Sequence, residues 1–387
     1  MDTIILAEGG WLVNSFCWRI FGQAVRDWVK GILEMVLKEA QREAIGAEWH
    51  QRNVTRKDYR NGYRQRVLGC SYGDISIRVP RNRRGSYPQA IFDRFSRRTV
   101  EVEEEILLTF SLGVSVRGMS RVLGRRGLGL SPQGVANVLK EVDILAGQWH
   151  RRPLPDDQYR FIILDAMWVR LGRSLRALLM AQGVLKDGQA ELIDYRVAEG
   201  ETEEAWGEFL QEMYERGLEG KATEAFVSDG AQAIDTAIQE NYPRSAHQIC
   251  AFHKVQDIAE HLTEKGNRKQ ILRQAARIYR AGSAEEAKVR AKVWAGRWQK
   301  REPDAVRTFL SGFEKTLVFY QFEPEVWKKI RTTNLLERYL RELRRRLKGI
   351  SSYRNEESID RMVYLAISGI KNRGYPYNTT NKITHRS

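Results

Sequence analysis

The sequence predicts an α/β protein: a mixed sheet with helices on both faces, an all-helical insertion within it, and a mainly helical N-terminal region before it. Three observations carry this prediction. The run 159–169, Tyr-Arg-Phe-Ile-Ile-Leu-Asp-Ala-Met-Trp-Val, is nearly continuous apolar sequence of strand length, as expected of a central strand covered on both faces. From there the patterning reads strand, strand, strand, helix, strand, helix, strand. Residues 254–330 then interrupt the alternation with helical sequence rich in Arg, Lys and Trp.

The N-terminal elements come first in chain order. Residues 1–55 form a helical segment, in which 22–45 sets Val25, Trp28, Val29, Ile32, Leu33, Val36 and Leu37 at three-and-four spacing. Such a stripe suits a core or a partner helix. Residues 56–150 begin with Tyr59-Arg-Asn-Gly-Tyr-Arg-Gln-Arg66, short alternating strands around 73–79, and Pro80-Arg-Asn-Arg-Arg84. Interleaved Arg and Tyr fit phosphate contacts with stacking, and equally a solvated basic loop. Residues 104–144 are helical and break at Gly127-Leu-Gly. Ser115 is a cap for a helix at 116–123, and Ser131-Pro132 a cap with proline at the first helical position. Two short helices flanked by Arg117, Arg121, Arg125 and Arg126 suggest a helix-turn-helix, with Arg121 and Arg125 as DNA contacts. Residues 151–157 carry two prolines and no periodicity, the mark of a linker.

The sheet region follows, at 158–253. Strands are expected at 159–169, 175–185 and 191–197, with Lys186-Asp-Gly-Gln189 as a hairpin turn. A helix at 202–216, a strand at 224–228, a helix at 231–241 and a strand at 246–249 complete it. Three antiparallel strands followed by helix, strand, helix, strand is the ribonuclease H-like order. The insertion at 254–330 contains helices at 271–280, 284–299 and 304–317, and the core resumes in helices over 331–375, leaving a tail at 376–387.

Composition narrows the function classes. Of 387 residues 42% are hydrophobic, enough for a real core, which excludes global disorder. Lys+Arg 64 against Asp+Glu 49 gives a net charge of +15, which points to a polyanionic partner such as double-stranded DNA. A membrane surface is the rival, but no run has the length of a spanning helix, and the apolar stretch near residues 11–21 is broken by Asn14 and Arg19. The N-terminus shows no basic leader pattern. Cys17, Cys70 and Cys250 are scattered and odd in number, so a reducing, cytoplasmic setting without a disulfide framework is expected.

Three carboxylates stand out. Asp165 sits inside the apolar strand, where an ionised group is costly unless a backbone, an Arg or a metal meets it. Asp229 falls where a strand ends and a helix starts, a helix N-cap or a ligand. Glu337, three residues after Asn334, fits a capping box, and its helix buries Leu336, Leu340, Leu343 and Leu347. Arg341, Arg344 and Lys348 lie along its own face, either a solvated row or a grip on phosphates. In a ribonuclease H-like sheet these three positions converge. Three such acids repel unless a divalent cation compensates, and hard oxygen donors select Mg²⁺ or Mn²⁺. Two such ions suit an in-line phosphoryl displacement.

Taken together, Tyr59-Arg-Asn-Gly-Tyr63, Val79-Pro-Arg81, Gly113-Val-Ser-Val-Arg117, Leu164-Asp-Ala166, Val227-Ser-Asp-Gly230, His247-Gln-Ile-Cys-Ala-Phe-His253, Arg331-Thr-Thr-Asn-Leu-Leu-Glu337 and Leu343-Arg-Arg-Arg-Leu347 run in one family order from about 55 to 370. In these stretches the chain resembles the Mutator-type transposases of bacterial insertion sequences, members of the Asp-Asp-Glu superfamily. The resemblance implies catalytic, metal-holding acids at Asp165, Asp229 and Glu337, with a helical insertion between the last two. It implies binding of terminal inverted repeats, cleavage at the element ends, joining of a 3′-hydroxyl to target DNA, and a homodimer. Arg331, beside the third acid, is a further candidate for DNA contact. Cys250 and His253 belong to the pattern as supports of the active site, with His253 near the scissile phosphate. Zinc is disfavoured there, because a closed site needs four ligands and the other cysteines lie far off, although His247 is a further candidate. The sequence departs from the family in Lys-Val-Gln after His253, where an Arg-Asn pair is usual, and in Trp168 for a commoner Tyr. A catalytically silent DNA-binding regulator and a ribonuclease H-type nuclease are the alternatives.

Overall fold

A computed structural model describes residues 8–51, 54, 56–84, 97–263, 266–347, 350 and 353–371. The chain divides into two compact units: one from residues up to 142 together with those from 368 onward, the other from 143–367.

The first unit opens with a long helix, α1 (Glu8–Ile45), followed by a hairpin of β1 (Arg60–Cys70) and β2 (Gly73–Asn82). Helix α1 starts well before the expected residue 22, and its apolar stripe splits. Leu37 is buried with Leu68, Cys70, Ile75, Ile77 and Val79, and Val29 and Leu33 pack on that cluster. Trp28, Ile32 and Val36 stay exposed on the side away from it. One helix face can cover one sheet face, so a stripe wider than the hairpin leaves residues over. Three helices follow: α2 (Val100–Ser111), α3 (Val116–Arg125) and α4 (Pro132–His150). The expected caps form. Ser115 Oγ accepts from the Gly118 N–H at 3.1 Å, and Ser131 Oγ from the Gly134 N–H at 3.1 Å.

The second unit is built on a five-stranded mixed sheet ordered β5-β4-β3-β6-β7. Its strands are β3 (Tyr159–Leu171), β4 (Ser174–Leu185), β5 (Ala190–Ala198), β6 (Ala225–Ser228) and β7 (Ala246–Ile249). The first three are antiparallel neighbours; β6 and β7 run parallel to β3. Helices α5 (Glu203–Glu215) and α6 (Gln232–Asn241) pack on one face. There Trp206, Phe209, Leu210, Ile234 and Ile238 meet Ile162, Leu164, Leu179, Ile193 and Phe226 in one buried cluster. Alternation along β3 sends Phe161, Ile163 and Asp165 to the opposite face.

The insertion is helical, as patterned: α7 (Ala251–Glu260), α8 (Arg268–Ile278), α9 (Ala284–Trp298), α10 (Pro303–Leu310) and α11 (Pro324–Ile330). Trp294, Trp298 and Phe309 are buried in it, with the Trp294 and Phe309 rings 4.7 Å apart. The single helix expected at 304–317 is broken, because Gly312 takes the left-handed conformation (φ 66°) and the chain continues in 3₁₀ turns at Phe313–Thr316 and Val318–Gln321. Helix α12 (Asn334–Leu347) then packs against β3, and α13 (Glu356–Lys371) follows. Leu336, Leu340, Leu343 and Leu347 are the buried stripe of α12.

Candidate functional site

The register of the sheet places two of the acids. Ile163 of β3 pairs with Val227 of β6 in parallel, so Asp165, within β3, and Asp229, just past the end of β6, lie at the same level, each two residues further on. Asp165 is half-buried, and its Oδ1 accepts from the Ala166 N–H at 2.8 Å. Asp229 is not the helix N-cap considered from sequence. Its Oδ1 accepts from the Ala231 N–H at 2.9 Å, an Asx turn, and Ala231 is the residue that precedes α6.

The third acid arrives on α12. Helix α12 begins at Asn334, so the capping box from Asn334 to Glu337 does not form and Thr333 takes the position before the helix. The Glu337 N–H donates to the Thr333 carbonyl at 2.9 Å, and the Thr333 hydroxyl donates to Glu337 Oε1 at 2.9 Å. Thr333 is fully buried, so its one hydroxyl proton orients the carboxylate. The Ala251 N–H donates to the Arg331 carbonyl at 3.0 Å, which fastens the start of α7 to the approach of α12.

That fastening brings Cys250 and His253 to Glu337. One ligand atom from each of the three lies within 4.8 Å of the others, and His253 Nε2 is 3.9 Å from Glu337 Oε1. The buried Cys250 sulfur accepts from the Thr333 N–H at 3.4 Å. Burial raises the Cys250 thiol pKa, but contact with His253 and the Thr333 N–H leave it below its usual value. His253 in turn is pushed up to about 9 by the neighbouring Cys250, against burial, with Asp165 and Asp229 adding to the rise. His247 does not join them: its ring bonds to Ser228 and Asp235, and burial keeps its pKa below the ordinary value.

Asp165 registers the crowding. Burial pushes its carboxyl up to about 6, and Asp229 and Glu337 push in the same direction, opposed by the Ala166 N–H and His253. A divalent cation among these oxygens would relieve that repulsion, whereas the ligand atoms found within 4.8 Å of one another among the described residues are those of Cys250, His253 and Glu337. Two residues not singled out from the sequence also border the acids. Burial raises the Glu201 carboxyl and Asp229 adds to the rise, while the neighbouring Trp168 opposes it. Thr333 was hidden within a motif read for Glu337, and Glu201 in an acidic loop; neither has a local signal of its own.

Beyond the acids, a groove of about 620 Å³ is lined by Trp168, Arg170, Arg338, Arg341, Arg344 and Arg345 among others. Arg341 and Arg344 are exposed there, as the periodicity of α12 implies. Lys348 lies outside the described residues. Arg331 is used internally, one guanidinium nitrogen donating to the Tyr279 carbonyl at 2.9 Å. Arg121 and Arg125 are exposed on α3 in the first unit. No helix among the described residues is long and apolar enough to cross a membrane.

Residues 20–373 match the family model described as "Transposase, Mutator family". The chain belongs to the Mutator family of transposases. Among curated members, it is 28% identical over 344 residues to the transposase for insertion sequence element ISRM5 of Rhizobium meliloti, covering 88% of this chain and 85% of that one. It is 28% identical over 356 residues to the transposase for IS256 in transposon Tn4001 of Staphylococcus aureus, covering 89% and 90%. The transposase for IS406 of Burkholderia multivorans is 30% identical over 326 residues, covering 82% and 83%. The matched span includes the sheet, the insertion and α12, and so the whole acidic cluster of this family member.

Proposed function

We propose that this transposase binds the terminal inverted repeats of an insertion sequence, cleaves DNA at the element ends and joins the 3′-hydroxyl ends to target DNA, on a ribonuclease H-like core. The observation that supports the reading is that Asp165 and Asp229 lie at one level on adjacent strands, with the charges of Asp229 and Glu337 both reaching Asp165, beside a groove of arginines. Asp165, Asp229 and Glu337 would hold Mg²⁺ or Mn²⁺. Such ions, when bound, lower the pKa of an attacking water or hydroxyl and stabilise the leaving oxygen of an in-line displacement.

The chain's own groups do the positioning. The Thr333 hydroxyl holds one oxygen of the Glu337 carboxylate, and the Ala166 N–H fixes one oxygen of Asp165. His253 stands beside Glu337, its Nε2 3.9 Å from Glu337 Oε1, and would be within reach of a phosphate entering the cluster. The arginines of the groove would hold the backbone of the incoming strand, with Trp168 as a stacking surface. The N-terminal unit, with α3 and α4 as the helix-turn-helix and Arg121 and Arg125 facing solvent, would read the inverted repeat, in a homodimer.

The test is end cleavage and strand transfer on DNA carrying the element's own inverted repeats, with Mg²⁺ or Mn²⁺. Asp165→Asn should abolish both reactions while retaining DNA binding and the wild-type melting temperature. Wild-type strand transfer in that variant would sink the assignment. Cleavage without joining in the wild-type protein would favour a plain nuclease.

A further inference from the structure

One chain of hydrogen bonds, buried at His247 and Ser228, runs from the helical insertion to the turn that carries Asp229. Lys315 Nζ lies 2.7 Å and 2.6 Å from the two carboxylate oxygens of Asp235. Asp235 Oδ1 is 2.7 Å from His247 Nδ1, and His247 Nε2 is 2.8 Å from Ser228 Oγ. The Gly230 N–H donates to that same hydroxyl oxygen at 3.1 Å.

With the His247 ring kept neutral by burial, only one set of proton positions satisfies every link. Lysine can only donate and an ionised carboxylate only accept, so the imidazole proton sits on Nδ1 and points at Asp235. Nε2 is then an acceptor. Ser228 must give its hydroxyl proton to it, which leaves the oxygen lone pairs for the Gly230 N–H. Ser228 is fully buried and His247 is 9% exposed, so little water competes for these bonds. The Ser-His-Asp pattern is not a nucleophile, because no substrate reaches a hydroxyl without exposure.

The far end of the chain brackets Asp229. Ser228 and Gly230 are its two neighbours, and the Ser228 carbonyl is tied to the Cys250 N–H at 2.7 Å. Gly230 holds φ 89°, and a Cβ there would come 2.7 Å from Ile249 Cγ2. The turn is therefore fixed from the side chain of Ser228, the backbone of Cys250 and the packing of Ile249 at once.

We propose that Lys315, Asp235, His247 and Ser228 form a positioning relay that couples the helical insertion to the orientation of Asp229. The proposal rests on the reading of Asp229 as a metal ligand. None of the four touches the reacting atoms; they set the direction of the carboxylate that does. The insertion then does more than enlarge the protein: its residue Lys315 helps to complete the site.

Lys315 tests the relay by sign. Its side chain is 41% exposed, so Lys315→Met removes the charge without opening a cavity in the core. A lysine and a bound cation repel, so losing the charge alone would tighten metal binding; losing an orienting partner should weaken it. Mn²⁺ binding to the full chain, followed by electron paramagnetic resonance titration, should weaken about tenfold in Lys315→Met and in Ser228→Ala, the usual range for outer partners of metal ligands. Lys315→Arg should bind like the wild type. The double variant should be no worse than the worse single, since both break one chain. Unchanged or tighter Mn²⁺ binding in Lys315→Met, or additive losses, would overturn the relay while Asp165-dependent binding kept the metal reading intact. Wild-type binding that Asp165→Asn does not weaken would overturn the metal reading, and the relay with it.

Discussion

Replacing His150 by Gln should destabilise the second unit at neutral pH and much less near pH 10. His150 is the last residue of α4, with Nδ1 2.7 Å from Asp194 Oδ1 and Nε2 3.0 Å from Asp360 Oδ1. One ring therefore ties α4, the edge strand β5 and α13 together. Burial lowers its pKa, but the bonds to Asp194 and Asp360 outweigh burial and push it up to about 9 from 6.5. The folded protein binds the proton more tightly than the unfolded chain, so the contribution is fully present below about pH 6.5 and is lost as pH rises through about 9. A shift of that size is worth about 3 kcal/mol, or roughly 6–12 °C in melting temperature for a unit of this length. Arg216 also bonds to Asp194, and Tyr195, whose hydroxyl donates to Asp360, is held protonated well above its usual range by burial. The measurement is the melting-temperature gap between wild type and His150→Gln from about pH 6 to pH 10. Hydrogen bonds lost at all pH values give a constant offset, and the charge gives the part that narrows. A gap that stays flat across the series would mean that His150 is neutral in the folded protein, and the linkage would be wrong.

Arg121→Glu should weaken binding to the inverted repeat and reduce the slope of log affinity against log salt by about one for a lost phosphate contact; an unchanged slope would remove Arg121 from the interface. Gly230→Ala should lower stability by about 2 kcal/mol, since alanine would take a left-handed φ and press on Ile249; a melting temperature equal to wild type would show that the turn relaxes freely.

Much of the sheet was legible because its signals are local. The apolar run at 159–169, the turn before Gln189 and the short strands ending at Ser228 and Ile249 all appear within a few residues of their expected bounds. The helices of the insertion were equally plain, apart from Gly312, where one left-handed residue ended a pattern that looked continuous. The first unit was harder. Residues 60–70 form a strand whose outer face carries Tyr63 and Gln65, and a basic, aromatic stretch with one hidden apolar face has no clean alternation. The stripe of α1 read as a single face, although the hairpin covers only part of it.

For the site, the difference between what was visible and what was not follows contact range. Asp165 lies inside β3, Asp229 just past the end of β6 and Glu337 in the first turn of α12, each in a pattern that can be read nearby, so each could be singled out from sequence. Their orienting partners cannot be read that way. Cys250 reaches Thr333 from 83 residues away, and Lys315 reaches Asp235 from 80. Those meetings depend on the register of β6 with β7 and on where the 3₁₀ turn after Gly312 lies, neither of which has a local signature. Even the cap of α12 shows the effect. The spacing from Asn334 to Glu337 was right for a capping box, but the Ala251 N–H holds the Arg331 carbonyl and the helix starts with Asn334 already inside it. Tertiary contact moved the helix start by one residue, and that shift hands the Glu337 carboxylate to the Thr333 hydroxyl instead of to a backbone amide.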